Sequence, residues 1–129
     1  MKISVLIIDD DKNFIDTLKD GMKLKEPEAE ISVAGSAREA LDTLSRSVPS
    51  VIVLDVQLPD IHGIEFLRVL RDSPKLKKTP VIFISAKYTE PADRSEAMLA
   101  GAEAFFSKPI SIEELWAEIN YLLEKKKQP

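Results

Sequence analysis

Residues 3–11 read ISVLIIDDD, an apolar run rich in β-branched side chains that stops at three consecutive aspartates. The run is nearly continuous rather than alternating, the pattern of a parallel strand covered on both faces. Four more runs of this kind follow: Ile31–Ala34, Val51–Leu54, Val81–Ile84 and Ala104–Phe106, with Ile3–Ile8 as the first. Between them the apolar residues recur at helical spacing. Phe14, Leu18 and Met22 form one stripe; Ala37, Ala40, Leu41 and Leu44 a second; Ile64, Leu67 and Leu70 a third. A final face carries Ile112, Leu115, Trp116, Ile119, Leu122 and Leu123.

Helix starts are marked chemically. Ser36 precedes Glu39 and Ser111 precedes Glu114 by three residues, the spacing of a capping box. Pro91 suits the first turn of a fourth helix and Gly101 its end. That helix has few large apolar residues, so loose packing is expected. Strand and helix thus alternate five times. The predicted fold is α/β: a five-stranded parallel sheet, order 2-1-3-4-5, doubly wound with five flanking helices. The 129 residues are read as one domain, with Lys125–Pro129 as a frayed end or the start of a linker.

Composition narrows the chemistry. There is no cysteine, which excludes disulfides and thiolate metal sites. A net charge of −4 speaks against direct nucleic-acid binding, and the cluster Lys125, Lys126 and Lys127 suits a helix end. No apolar stretch reaches membrane-spanning length, and the N-terminus has no signal-peptide pattern. The expectation is a cytoplasmic protein without membrane contact.

In an open α/β sheet, ligands bind beyond the carboxyl ends of the strands. Asp9, Asp10 and Asp11 follow the first run, Asp55 the third, Ser85 the fourth, and Lys108 the fifth after one intervening residue. The 2-1-3-4-5 order makes these four runs neighbours, so the residues should meet at one edge. Crowded carboxylates raise one another's pKa values or demand a cation, and hard oxygen donors without histidine or cysteine select Mg²⁺ or Mn²⁺. A lysine and a hydroxyl facing the same point would serve the oxygens of a phosphoryl group, with a carboxylate as nucleophile. Asp11 has a simpler reading, as cap of the first helix.

Val5–Asp10 (VLIIDD), Asp55 to Gly63 (DVQLPDIHG), Ser85–Ala86 and Lys108–Pro109 together resemble the response-regulator receiver family, whose fold is flavodoxin-like. The resemblance covers nearly the whole chain. It implies that Asp55 is the phosphoacceptor, taking a phosphoryl group from a phosphohistidine on a sensor histidine kinase or phosphotransfer protein. It implies Asp10 as a direct Mg²⁺ ligand, Asp9 as a support through water, and the Gln57 carbonyl as a further ligand. Lys108 would pair with the phosphoryl oxygens and Ser85 would move toward them. Phe105 matches an aromatic switch position whose ring turns inward, and small Ala86 leaves the phosphate reachable. Lys108–Pro109 is expected to be cis. Gln57 and Lys87 stand where the family tunes dephosphorylation.

The switched surface would be that of the fourth helix, fifth strand and fifth helix, serving an output partner the sequence does not name. Homodimerisation on phosphorylation is left open. His62, the single histidine, is read as a loop residue without a catalytic role. Tyr121 lies off the apolar face of the last helix, toward water or a partner. Two other readings stand beside this one. An aspartate-nucleophile phosphatase of the haloacid-dehalogenase type wants a second aspartate two residues on, where this chain has Gln57. A receiver-like scaffold that is never phosphorylated would not require the full acid, hydroxyl and lysine set.

Overall fold

The computed structural model describes residues 2–87 and 90–127. Five parallel strands, β1 (Ser4–Ile8), β2 (Glu30–Ala34), β3 (Val51–Asp55), β4 (Val81–Ser85) and β5 (Ala104–Ser107), form one sheet in the order β2-β1-β3-β4-β5. Five helices alternate with them: α1 (Lys12–Lys25), α2 (Ala37–Arg46), α3 (Gly63–Asp72), α4 (Pro91–Ala100) and α5 (Ile112–Lys127). Fold class and strand order are as the sequence predicts. Among the described residues no helix is long and apolar enough to cross a membrane.

Strand side chains divide by parity, because successive residues point to opposite faces. Val5, Ile7, Val51, Val53, Ile82 and Ile84 meet Leu18, Met22, Leu115 and Ile119 of α1 and α5. Leu6, Ile8, Ile52, Leu54 and Phe83 meet Ala40, Leu44, Leu67, Leu70 and Ala97 of α2, α3 and α4. Each face is therefore a separate apolar layer, and the sheet is the wall between them.

Several expectations need correction. The strands are not all covered on both faces: β2 is an edge strand, and Val33 is 42% exposed. Asp55 and Ser85 are the last residues of β3 and β4 rather than the first beyond them. In α1, Ile15 is buried while Phe14 is only partly so, and in α2 Leu41 is 46% exposed. Lys125, Lys126 and Lys127 do form the last turn of α5, the helix end read for them; Gln128 and Pro129 lie outside the described residues.

The caps also depart in detail. The Ser36 hydroxyl accepts from Glu39 N at 3.1 Å, but the Glu39 carboxylate accepts from Gly35 N rather than from the cap residue. Ser111 accepts from Glu114 N, while the Glu114 carboxylate faces the Ser111 hydroxyl at 3.4 Å. Helix α4 buries only Ala97 among its residues, in keeping with its apolar-poor sequence. Its C-terminal end is nevertheless held firmly. Arg71 donates to Gly101 O, Leu76 O and Thr79 O and pairs with Glu103 at 2.8 Å.

Candidate functional site

The carboxyl ends of β1, β3, β4 and β5 converge because the parallel register stacks Ile8 against Leu54, Asp55 against Ile84, and Ser85 against Ser107. Beyond them opens a pit of about 410 Å³ whose lining includes Asp10, Asp11, Asp55, Gln57, Ala86, Lys87 and Lys108. Asp9, Asp10 and Asp55 each bring a carboxylate oxygen to within 4.8 Å of the others. The residues scattered over a hundred positions of sequence are thus brought together.

Asp9 is fully buried and both of its oxygens are engaged. Oδ1 accepts from Asp11 N at 2.8 Å and Oδ2 faces Lys108 Nζ at 2.9 Å. Asp10 stands exposed on the rim. Asp55 is buried; its Oδ1 accepts from Gln57 N at 3.3 Å, and its Oδ2 lies 3.9 Å from Lys108 Nζ. Burial, and then the negative charge of Asp9, push the Asp55 carboxyl up to about 6, against the opposing pull of Lys108 and the Gln57 amide. The cluster of Asp9, Asp10 and Asp55 therefore sets three carboxylates beside Lys108, with Asp11 and Lys87 also on the lining, and offers a cation only oxygen donors. That donor set fits Mg²⁺ or Mn²⁺.

Ser85 is buried at the end of β4. Its hydroxyl accepts from Lys87 N at 3.3 Å, and its carbonyl accepts from Lys108 N at 2.9 Å, which ties the lysine's backbone to the neighbouring strand. The Lys108–Pro109 peptide is cis. Phe105 is already turned inward, 3% exposed, with its ring centroid 6.3 Å from that of Phe83 and the Arg94 guanidinium 5.6 Å above it.

The loop from Gln57 to His62 closes the pit from the β3 side. Gly63 N donates to Val56 O at 2.5 Å, and a Cβ at Gly63 would fall 2.6 Å from Asp55 O, so α3 can begin this close to the strand only with glycine there. His62 caps α3 through Nδ1, which accepts from Ile64 N at 3.2 Å. Asp60 accepts from Ala37 N and Arg38 N, both at 3.0 Å, which fastens the loop to the start of α2 and holds the Asp60 carboxyl below its usual range. Asp11 caps α1, accepting from Phe14 N at 3.2 Å. Sequence reasoning missed two contacts: the Asp60 tie, and the Phe14 ring, whose centroid lies 4.2 Å from Lys108 Nζ. Neither is local in sequence, and a lone aspartate or phenylalanine carries no signal of a partner decades of residues away.

Five parallel strands wound in this order, with acids, a hydroxyl and a lysine at the carboxyl ends of the strands, define a flavodoxin-like domain with a polar site at its switch point. The family model for the response regulator receiver domain matches residues 5–120. Over 123 residues the chain is 35% identical to the transcriptional regulatory protein TrcR of Mycobacterium tuberculosis, covering 95% of this chain and 46% of that protein. It superimposes on the receiver domain of the Francisella response regulator 1452 with a TM-score of 0.85 at 33% identity, covering 97% and 99% of the two chains. A BeF3-activated DrrB receiver domain matches with a TM-score of 0.84 at 26% identity, over 96% and 99%. This chain belongs to the response regulator receiver domain family of two-component signalling. It spans about half the length of most of the curated relatives it matches, 46% for TrcR and 52% for Rre1 of Synechocystis.

Proposed function

We propose that this chain is a phosphoacceptor switch: Asp55 takes a phosphoryl group from a phosphohistidine on a histidine kinase or phosphotransfer protein, in the cytoplasm. The observation that carries the reading is the juxtaposition of the Asp55 and Asp10 carboxylates with the buried Asp9–Lys108 pair at one open pit, beside the end of β4 where Ser85 stands.

In this reading an Asp55 oxygen attacks phosphorus in line. The new O–P bond forms as the P–N bond to the imidazole breaks, and the imidazole leaves with the electron pair. Mg²⁺, held by Asp10, Asp55 and the Gln57 carbonyl, would supply positive charge for the oxygens of the transferring group. Asp9 has both oxygens committed to Lys108 and Asp11 N, which suits support through water rather than direct ligation. Lys108 already faces the acceptor and would move its hydrogen bonding to the phosphoryl oxygens. Attack needs the ionised carboxylate, and an Asp55 carboxyl raised to about 6 is mostly ionised at neutral pH.

The added charge would draw the Ser85 hydroxyl and the segment after it toward Asp55. That segment leads into α4, which buries a single residue and whose Arg94 lies over Phe105. Phe105 also pairs in register with Phe83 of β4. The α4–β5–α5 face is thus the surface proposed to change, as a two-state equilibrium biased by the phosphate. Output partner and dimerisation would follow from that face.

Intact-mass measurement after incubation with Mg²⁺ and acetyl phosphate tests the reading. A single phosphoryl adduct, absent in Asp55→Asn and without Mg²⁺, is expected. No adduct under saturating donor would overturn it, and rapid turnover of varied phosphate esters would favour a phosphatase instead.

A further inference from the structure

We infer that Phe14 is a positioning residue for the phosphoryl-transfer site, its ring holding the Lys108 ammonium against the acidic pit. The inference rests on the phosphoacceptor reading of Asp55 and adds a component to it. The Phe14 ring centroid lies 4.2 Å from Lys108 Nζ, inside the range in which a cation is attracted to an aromatic face. The same ammonium lies 2.9 Å from Asp9 and 3.9 Å from Asp55. The Lys108 side chain is only 14% exposed, so the ring occupies space that water would otherwise use to compete for the ammonium protons.

These contacts close into a circle. Asp9 binds Lys108 through Oδ2 and Asp11 N through Oδ1; Asp11 caps α1 by accepting from Phe14 N; and the Phe14 ring covers Lys108. The cap that starts α1 therefore also aims an aromatic face at the lysine. A four-carbon stem with a rotating ammonium has wide freedom when unconstrained. Here a carboxylate and a ring both contact it, and the lysine lines the pit in which phosphoryl oxygens would lie. Phe14 also packs at the margin of the α1–α5 layer, so a purely apolar role must be separable from an aromatic one.

The test compares initial rates of adduct formation by the full chain with acetyl phosphate and Mg²⁺. Phe14→Leu keeps apolar packing and loses the ring face; its rate should fall about three- to tenfold, the scale of a partly desolvated cation–π contact. Phe14→Tyr restores the face and should return the rate to within about twofold. In a Lys108→Ala background, Phe14→Leu should have no further effect, as a double-mutant cycle requires of a residue acting through the lysine. By proton NMR, the Lys108 ε-methylene signal should be ring-current shifted in wild type and Phe14→Tyr but not in Phe14→Leu. Equal rates for the leucine and tyrosine variants, or an undiminished leucine effect without Lys108, would overturn the inference alone. Absence of any adduct in wild type would overturn the phosphoacceptor reading, and this inference with it.

Discussion

Lys108 Nζ lies 2.9 Å from Asp9 Oδ2, pairing a lysine from the β5–α5 connection with a buried carboxylate at the end of β1. Breaking such a pair strands a charge in a place that water barely reaches. Lys108→Ala should therefore destabilise the metal-free protein by about 3 kcal/mol. It should also tighten Mg²⁺ binding, because the cation then has no competitor among the carboxylates. Urea unfolding with and without Mg²⁺, and calorimetric titration with the metal, would show the two effects with opposite signs.

The Asp55 carboxyl gives a pH signature. Its folded value, about 6, is raised above the ordinary 3.8, so the folded state binds this proton more tightly than the unfolded chain does. Below about pH 4 the group is neutral in both states and costs nothing. As pH rises from about 4 to 6 the unfolded chain ionises first and stability falls, by about 1–2 kcal/mol once screening by solvent at the open pit is allowed for. Without divalent metal, Asp55→Asn should be the more stable protein above pH 6, with the difference closing toward pH 4. Urea midpoints in a chelator across that range provide the measurement.

Arg71 is the anchor of α4. It is 17% exposed and donates to three backbone carbonyls besides Glu103, whose Oε1 also accepts from Val81 N at 2.7 Å. Arg71→Met keeps the stem and removes every donor, for an expected loss of about 3 kcal/mol. Gly101→Ala should cost about 1–3 kcal/mol, since it combines a φ of +114° with a Cβ 2.9 Å from the Nε of the anchored Arg71 side chain. Thermal unfolding of both variants would rank them.

Gly63 tests how tightly the acceptor loop is held. The three atoms nearest a Cβ there are all backbone, Asp55 O at 2.6 Å and Val56 Cα and O at 2.8 Å, and backbone cannot swing aside. Gly63→Ala should cost about 2 kcal/mol through overpacking and shift the Gln57 segment. Mg²⁺ affinity and acetyl-phosphate reactivity should then fall by more than the stability loss explains in a protein that remains folded at the assay temperature.

The sequence alone determined the alternation of strand and helix, the parallel order of the sheet and the set of polar residues at its carboxyl edge. These are legible because periodicity and turn chemistry act over a few residues. Ile3–Ile8 or Val51–Leu54 can be read without knowing what packs on them, and Asp55 and Ser85 declare themselves by ending such runs. The incomplete cover of β2 was less legible: the predicted order puts it at the edge, yet Val33 and Ile31 read as core residues, and Val33 is half in water. Tertiary structure alone decided who faces whom. That Asp9 rather than Asp10 takes Lys108, that Phe14 covers the same lysine, that Asp60 fastens the acceptor loop to α2, and that Arg71 locks the end of α4 all depend on side chains from distant segments reaching one point. Such distances follow from the winding of the whole chain, and no local pattern encodes them.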